Sequence, residues 1–326
     1  MRATLAAAGF AAVTACTNRP PDAPAPAARP ADTAIVAQRE HASEWGTRGY
    51  RLFVPPMTPA GAPLVVWLHG CTQDAAELAV ASRMDSLAAA ARVIVVSPEQ
   101  PASANPARCW NWFAPEHQAR GGEPAIIAAI ARAVAAEFSA DPARIHVGGI
   151  SAGGAMAVAT AISYPELFAS VASHAGIGWR MASNVAGGLA VMKTGGAAAE
   201  SLGVIAHQAM GAEGRMIPLF AVHGMRDGVV TPLATRNLVA QFVALAGAAG
   251  TRLRADSARS TAGGYSYQSV RFVGAGNRPV IEAWFVDSLG HALSGGAPGS
   301  RWVDARGPDA TLGMLRFFLG HPRPAQ

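Results

Sequence analysis

Lysine is nearly missing from this chain: Lys193 is the only one in 326 residues, so the net charge of +5 rests almost wholly on arginine. Those arginines are scattered. The densest stretch, Arg252, Arg254 and Arg259, is interrupted by Asp256 and has no interleaved aromatics, which marks a solvated face and excludes a nucleic-acid partner. Three cysteines are too few for a disulfide scaffold. Beyond the N-terminal region no uninterrupted apolar run reaches the roughly 18 residues of a membrane-spanning helix, so the rest of the chain is expected to be soluble. Charged residues make up only 14%, and no internal repeat is found. What is abundant is apolar side chain, at 51% of residues, which suffices to offset ordering entropy and excludes a disordered chain.

The N-terminus reads as an address. Met1 and Arg2 precede an alanine-rich apolar run, Ala3 to Ala15, that suits the h-region of an export signal. It ends Val13-Thr14-Ala15-Cys16, which resembles the bacterial lipobox, so residues 1–15 are expected to be a lipoprotein-type signal and Cys16 the lipidated residue. A signal cleaved at small residues, with Cys16 incidental, is the alternative. Residues 16–33 are rich in Pro and Ala and read as a semi-extended tether between membrane and domain. The catalytic domain is expected to span 34–322, in an exported, extracellular or periplasmic protein that meets the membrane only through its N-terminal lipid.

From residue 34 onward, short β-branched runs alternate with longer alanine-rich segments, the pattern of parallel strands joined by helices. Strands are predicted at Leu64–Leu68, Val93–Ser97, Ile145–Gly148, Val171–Ser173, Leu219–His223 and Ile281–Val286. Their continuous apolarity implies an α/β fold whose mostly parallel central sheet carries helices on both faces. Helices are predicted at Ala75–Ala91, Glu123–Phe138, Ala152–Ser163, Pro232–Ala248 and Pro308–Leu319. Asn184–Gly214 has weak periodicity and reads as a small cap or surface helices.

Gly149-Ile150-Ser151-Ala152-Gly153 fits G-x-S-x-G between a predicted strand and a predicted helix. A serine there sits on a strained turn, and the glycines remove side chains that would clash, so its hydroxyl projects where it can attack a carbonyl. The bland alternative is a helix cap. A serine hydroxyl needs a base, and the base needs a carboxylate to fix its tautomer. Asp227 follows the strand ending at His223, and His291 follows the strand ending at Val286, in the order acid then histidine. Asp287 is a rival acid, but at four residues before His291 it fits better as a cap of the same loop. His223 is expected to shape the acid loop, His69 the oxyanion loop and His174 the exit of another strand, while His41, His117, His146, His207 and His321 read as ordinary histidines.

An oxyanion forming on the substrate needs preorganised donors. The backbone N–H of Ala152, next to the nucleophile, and that of Cys71, in the loop His69-Gly70-Cys71, are the candidates. In an oxidising compartment Cys71 and Cys109 can pair, constraining the unfolded chain by roughly 4 kcal/mol and pinning the oxyanion loop; two separate buried thiols are the alternative. Trp302 and Trp179 are candidates for an exposed aromatic contacting an aromatic or polymeric acyl group. This chemistry calls for no metal and no cofactor.

Several blocks carry a family resemblance: Leu68-His69-Gly70-Cys71-Thr72-Gln73, Asn105 through Phe113, Gly149 through Met156, Tyr164-Pro165-Glu166-Leu167-Phe168, and Gly290 through Gly296. The chain resembles the poly(3-hydroxybutyrate) depolymerase family of esterases, close to feruloyl and acetylxylan esterases. The resemblance implies an α/β-hydrolase fold and an exported carboxylic ester hydrolase with a triad of Ser151, Asp227 and His291, acting on a polyester or an esterified polysaccharide. Two positions depart from the family pattern. Met225 stands where an acidic residue is usual, which spares the chemistry because Asp227 is retained. Leu293 replaces a usual tryptophan and removes an aromatic wall beside the histidine. A feruloyl or acetylxylan esterase is the second reading, a peptidase stands further behind, and a non-catalytic ligand-binding surface lipoprotein is the reading from another class, against which the complete triad order argues.

Overall fold

A computed structural model of the protein describes residues 32–324. The expected signal, Cys16 and nearly all of the tether lie outside the described residues. The chain enters through an antiparallel hairpin, β1 (Ile35–Ser43) and β2 (Gly46–Val54), that the sequence pattern did not predict. In β1 half-buried residues alternate with exposed ones, as an edge strand requires, so it lacks the continuous apolar run that marks the central strands.

The centre of the ten-stranded sheet comes from those apolar runs: β3 (Leu64–Leu68), β4 (Ile94–Pro98), β5 (Ile145–Ile150), β6 (Val171–His174) and β7 (Leu219–Gly224). A second hairpin, β8 (Arg254–Ala262) and β9 (Tyr265–Val273), leads into β10 (Pro279–Val286). Strand order is β1-β2-β4-β3-β5-β6-β7-β10-β9-β8, with the stretch from β4 to β10 running parallel and the two hairpins flanking it antiparallel. The arginine-bearing segment read as a solvated face falls largely on β8, the exposed edge.

Strand geometry sends successive side chains to opposite faces, and two cores result. Leu64, Val66 and Leu68 face one core, with α3 (Gly122–Glu137), α4 (Ala152–Ser163) and α7 (Pro232–Ala248). Val65 and Trp67 face the other, with α1 (Ala75–Ser82), α2 (Met84–Ala91) and α8 (Ala310–Gly320). The single helix expected over Ala75–Ala91 is broken at Arg83, whose φ is 57°. At the break the Arg83 guanidinium donates to the Gly295 carbonyl and pairs with the Asp309 carboxylate, far along the chain. Residues 184–214 form α5 (Val185–Thr194) and α6 (Ala199–Ala209). Among the described residues no helix is long and apolar enough to cross a membrane.

Candidate active site

Ser151 stands between β5 and α4 with φ 55° and ψ −120°, a left-handed conformation costly for a side-chain-bearing residue. Its backbone N–H donates to the His174 carbonyl on β6 at 2.7 Å, which holds the turn. The flanking glycines are required by packing. A Cβ on Gly149 would lie 2.5 Å from the Gly153 backbone, and one on Gly153 would lie 2.4 Å from the carbonyl oxygens of Leu68 and His69.

The loop after β10 brings His291 to the serine, with Nε2 3.1 Å from Ser151 Oγ and Nδ1 2.7 Å from Asp227 Oδ2. An ionised carboxylate only accepts, so the Nδ1 proton faces Asp227 and the Nε2 lone pair faces the hydroxyl. Asp227 sits on the loop after β7, where its Oδ1 accepts from the backbone N–H groups of Val229 at 2.8 Å and Val230 at 2.9 Å. Burial alone would raise its carboxyl, but hydrogen bonds from His223 and His291 and from Val230 N–H outweigh it, holding the group well below the usual carboxylate range. His223 Nε2 lies 2.9 Å from Val230 O and 3.3 Å from Asp227 Oδ2, while Nδ1 lies 2.6 Å from the Thr235 hydroxyl. Asp287, the rival acid, lies at the surface paired with Arg259.

Ala152 opens α4, so its N–H belongs to the first turn of the helix, where amides have no intrahelical acceptor. Cys71 is disulfide-bonded to Cys109, and the loop around it is pinned on several sides. Gly70 N–H donates to Gln73 Oε1 at 3.0 Å, Thr72 N–H to Ala107 O at 2.8 Å, and the Trp110 indole to His69 O at 3.1 Å. Behind Cys109 lies a buried carboxylate that sequence reasoning passed over. Glu123 accepts from the side chains of Gln100 and Asn111 and from Asn111 N–H, locking the cysteine-bearing loop. In the sequence it is only the first residue of the predicted helix Glu123–Phe138; its burial is a tertiary fact.

A cavity of about 220 Å³ opens over Ser151, His291 and Cys71, with apolar walls that include Met192, Val229 and Trp302. A larger hollow of about 690 Å³ between Gly250 and Asn277 contains Arg252 and Arg254 and no serine or histidine. Four non-glycine residues with positive φ, Thr72, Ser151, Ala175 and Trp302, line the smaller one. Such clustering is characteristic of functional sites.

The two tryptophan candidates part company. Trp302 is 43% exposed and stands edge-on to His291 with ring centres 6.4 Å apart. Its neighbour Arg301 stacks on the indole and donates to the Thr72 hydroxyl at 3.1 Å, and Leu293 N–H donates to Trp302 O at 2.7 Å. Leu293 itself brings no ring to this position, but an aromatic does stand beside His291, supplied by Trp302 in the turn that precedes Val303. Trp179, in contrast, is not at the cleft. It is 2% exposed, its indole donates to Gln118 O at 2.8 Å, and its backbone N–H donates to Gln241 Oε1 at 2.9 Å. Core packing, not ligand contact, is what holds it. Among the described residues no group of three or more His, Cys, Asp or Glu side chains is placed to hold a metal ion.

Residues 48–263 match the family described as esterase PHB depolymerase. Poly(3-hydroxyalkanoate) depolymerase C of Paucimonas lemoignei is 33% identical over 241 residues, covering 73% of this chain and 56% of that protein. Feruloyl esterase B of Neurospora crassa is 29% identical over 153 residues, covering 45% of this chain and 51% of that one. The chain therefore spans about half the length of these curated relatives. Among solved structures, an acetyl xylan esterase from Aspergillus awamori superposes with a TM-score of 0.64 at 20% identity, over 78% of this chain and 94% of its own. The fold is that of the α/β-hydrolases. With two thirds of its length matched and a relative one third identical, the chain belongs to the esterase PHB depolymerase family.

Proposed function

We propose that this protein is an exported serine esterase of the depolymerase type, hydrolysing carboxylic esters through Ser151, His291 and Asp227. The observation that carries the proposal is the unbroken chain of short contacts from Asp227 through His291 to Ser151 at the floor of an apolar cavity.

In this mechanism His291 Nε2 takes the Ser151 proton as Oγ attacks the ester carbonyl, and Asp227 stabilises the resulting imidazolium. The carbonyl oxygen, now negative, is held by the backbone N–H groups of Cys71 and Ala152. Collapse breaks the ester C–O bond, and His291 delivers its proton to the leaving alcohol. Water then attacks the acyl-Ser151 ester with His291 again as base, releasing the acid and regenerating the serine. Trp302, Met192 and Val229 give the acyl or alcohol portion an apolar surface to lie against.

The names of a poly(3-hydroxyalkanoate) depolymerase and a feruloyl esterase among the relatives support a reading in which the substrate is an aliphatic polyester or an esterified polysaccharide. A panel of hydroxybutyrate oligomers, short-chain esters and methyl ferulate separates them. Ser151→Ala tests the activity: p-nitrophenyl butyrate hydrolysis should fall by up to roughly 10⁶-fold in kcat, and a wild type no faster than this variant would refute the esterase assignment. Lipidation at Cys16 is tested by Cys16→Ser, which should release the protein from membranes; an unchanged distribution would sink the anchor.

A further inference from the structure

We propose that His174 is a positioning residue whose imidazole fixes the His291 loop against the Ser151 elbow. The inference rests on the triad proposed above and adds a residue to which that mechanism assigns no step. His174 ends β6 and is fully buried. Its two hydrogen-bonding ends face different parts of the site. The backbone carbonyl accepts the Ser151 N–H at 2.7 Å, and the ring Nε2 accepts the Ser294 N–H at 3.2 Å. One residue therefore touches both the strained serine turn and the segment three residues beyond His291.

Strand alternation explains why the ring is needed. The short strand β11 (Leu293–Ser294) pairs with β12 (Val303–Asp304), and it does so through Leu293 N–H to Trp302 O and Gly295 N–H to Asp304 O. Successive amides point to opposite sides of a strand, so Ser294 N–H is directed away from β12. On that side the acceptor is His174 Nε2. The loop is thus gripped on both sides, by β12 and by a buried imidazole. Without the ring, Ser294 N–H would lose its acceptor and the 3.1 Å approach of His291 to Ser151 would lose its support on the β6 side.

Serving as acceptor requires a neutral ring with its proton on Nδ1. Burial keeps the ring neutral, pushing the imidazole down to about 3, and the nearby His223 and His291 act in the same direction; the Ser294 N–H facing Nε2 then leaves the proton on Nδ1, which has no hydrogen-bond partner.

Two variants of the full chain test the assignment. His174→Gln can set a carbonyl oxygen where Nε2 stands, whereas the His174→Asn side chain is too short to reach Ser294. The Asn variant is expected to lower kcat for p-nitrophenyl butyrate by about 10²-fold, as a small misplacement of a base does, with KM little changed. It should slow phosphonylation of Ser151 by an activated phosphonate to a similar extent, and the Gln variant should recover most of both rates. A merely structural role would lower the unfolding midpoints of both variants without separating their kcat values. Equal kcat in the two variants, or wild-type kcat in the Asn variant, overturns the proposal. Should neither variant fold, heteronuclear NMR of histidine-labelled wild type decides: Nδ1–H with an unprotonated Nε2 is expected, and an Nε2–H tautomer overturns it. Ser151→Ala is measured alongside, because full activity in that variant would mean failure of the triad itself.

Discussion

Gly153→Ala is the sharpest test of how the site is assembled. The new methyl would stand 2.4 Å from the carbonyl oxygens of both Leu68 and His69, where real side chains stay beyond 3.0 Å. Both obstacles are backbone, so no side chain can swing aside. The start of α4 and the end of β3 must part by more than half an ångström. Those two segments carry the proposed oxyanion donors, Ala152 at the head of the helix and Cys71 just beyond the strand. Overpacking of this kind costs about 1–3 kcal/mol of stability. Separation of the donors adds a catalytic loss: misplacement or removal of one such donor lowers kcat by about 10²-fold or more. The expected result is a lower urea midpoint together with a kcat for p-nitrophenyl butyrate reduced by about two orders of magnitude, and KM changed far less. Gly247→Ala, in α7 with nothing within 4 Å of the added carbon, is the control. It should keep wild-type activity and gain up to about 1 kcal/mol from helix propensity. If Gly153→Ala retained wild-type kcat and midpoint, the packing argument for the elbow would be wrong.

Asp227→Asn should lower kcat by about 10⁴-fold by favouring the wrong histidine tautomer, while Asp287→Asn, at a surface ion pair, should leave it unchanged; the reverse result would make Asp287 the acid. Stability should fall with acid, because His146 and His174 are buried as neutral rings and held down at about 3. Each lies below its unfolded value near 6.5, so between those limits the unfolded chain binds two more protons than the folded one, and the folded state loses about 3 kcal/mol of stability per unit as the pH is lowered. Urea midpoints that stay flat from about pH 7 to 5 would contradict this. Cys109→Ser should cost about 2–5 kcal/mol and lower kcat through a looser oxyanion loop; thermal melts and kinetics with and without a reductant measure both, and indifference to reduction would show that the bridge constrains neither.

The sequence by itself determined which residues are candidates for the proposed chemistry and in what order they stand. A glycine-flanked serine between an apolar strand and a small-residue helix is a local pattern, and local sterics dictate its turn. The central strands were legible for a similar reason, since strands covered on both faces are apolar throughout. Edge strands such as β1 and β8 face solvent, and their mixed composition hid them.

Only the tertiary structure shows where the candidates stand relative to one another. Asp227 and Asp287 both follow strand ends, and the difference is that one meets His291 at 2.7 Å while the other pairs with Arg259 at the surface. Trp302 and Trp179 look alike in sequence, yet one faces the cavity and the other is packed in the core. The pairing of Arg83 with Gly295, the buried Glu123 clamp behind Cys109 and the hydrogen bond of His174 to Ser294 depend on partners distant in the chain. Contacts of that kind are set by how layers pack, and no local pattern of residues encodes them.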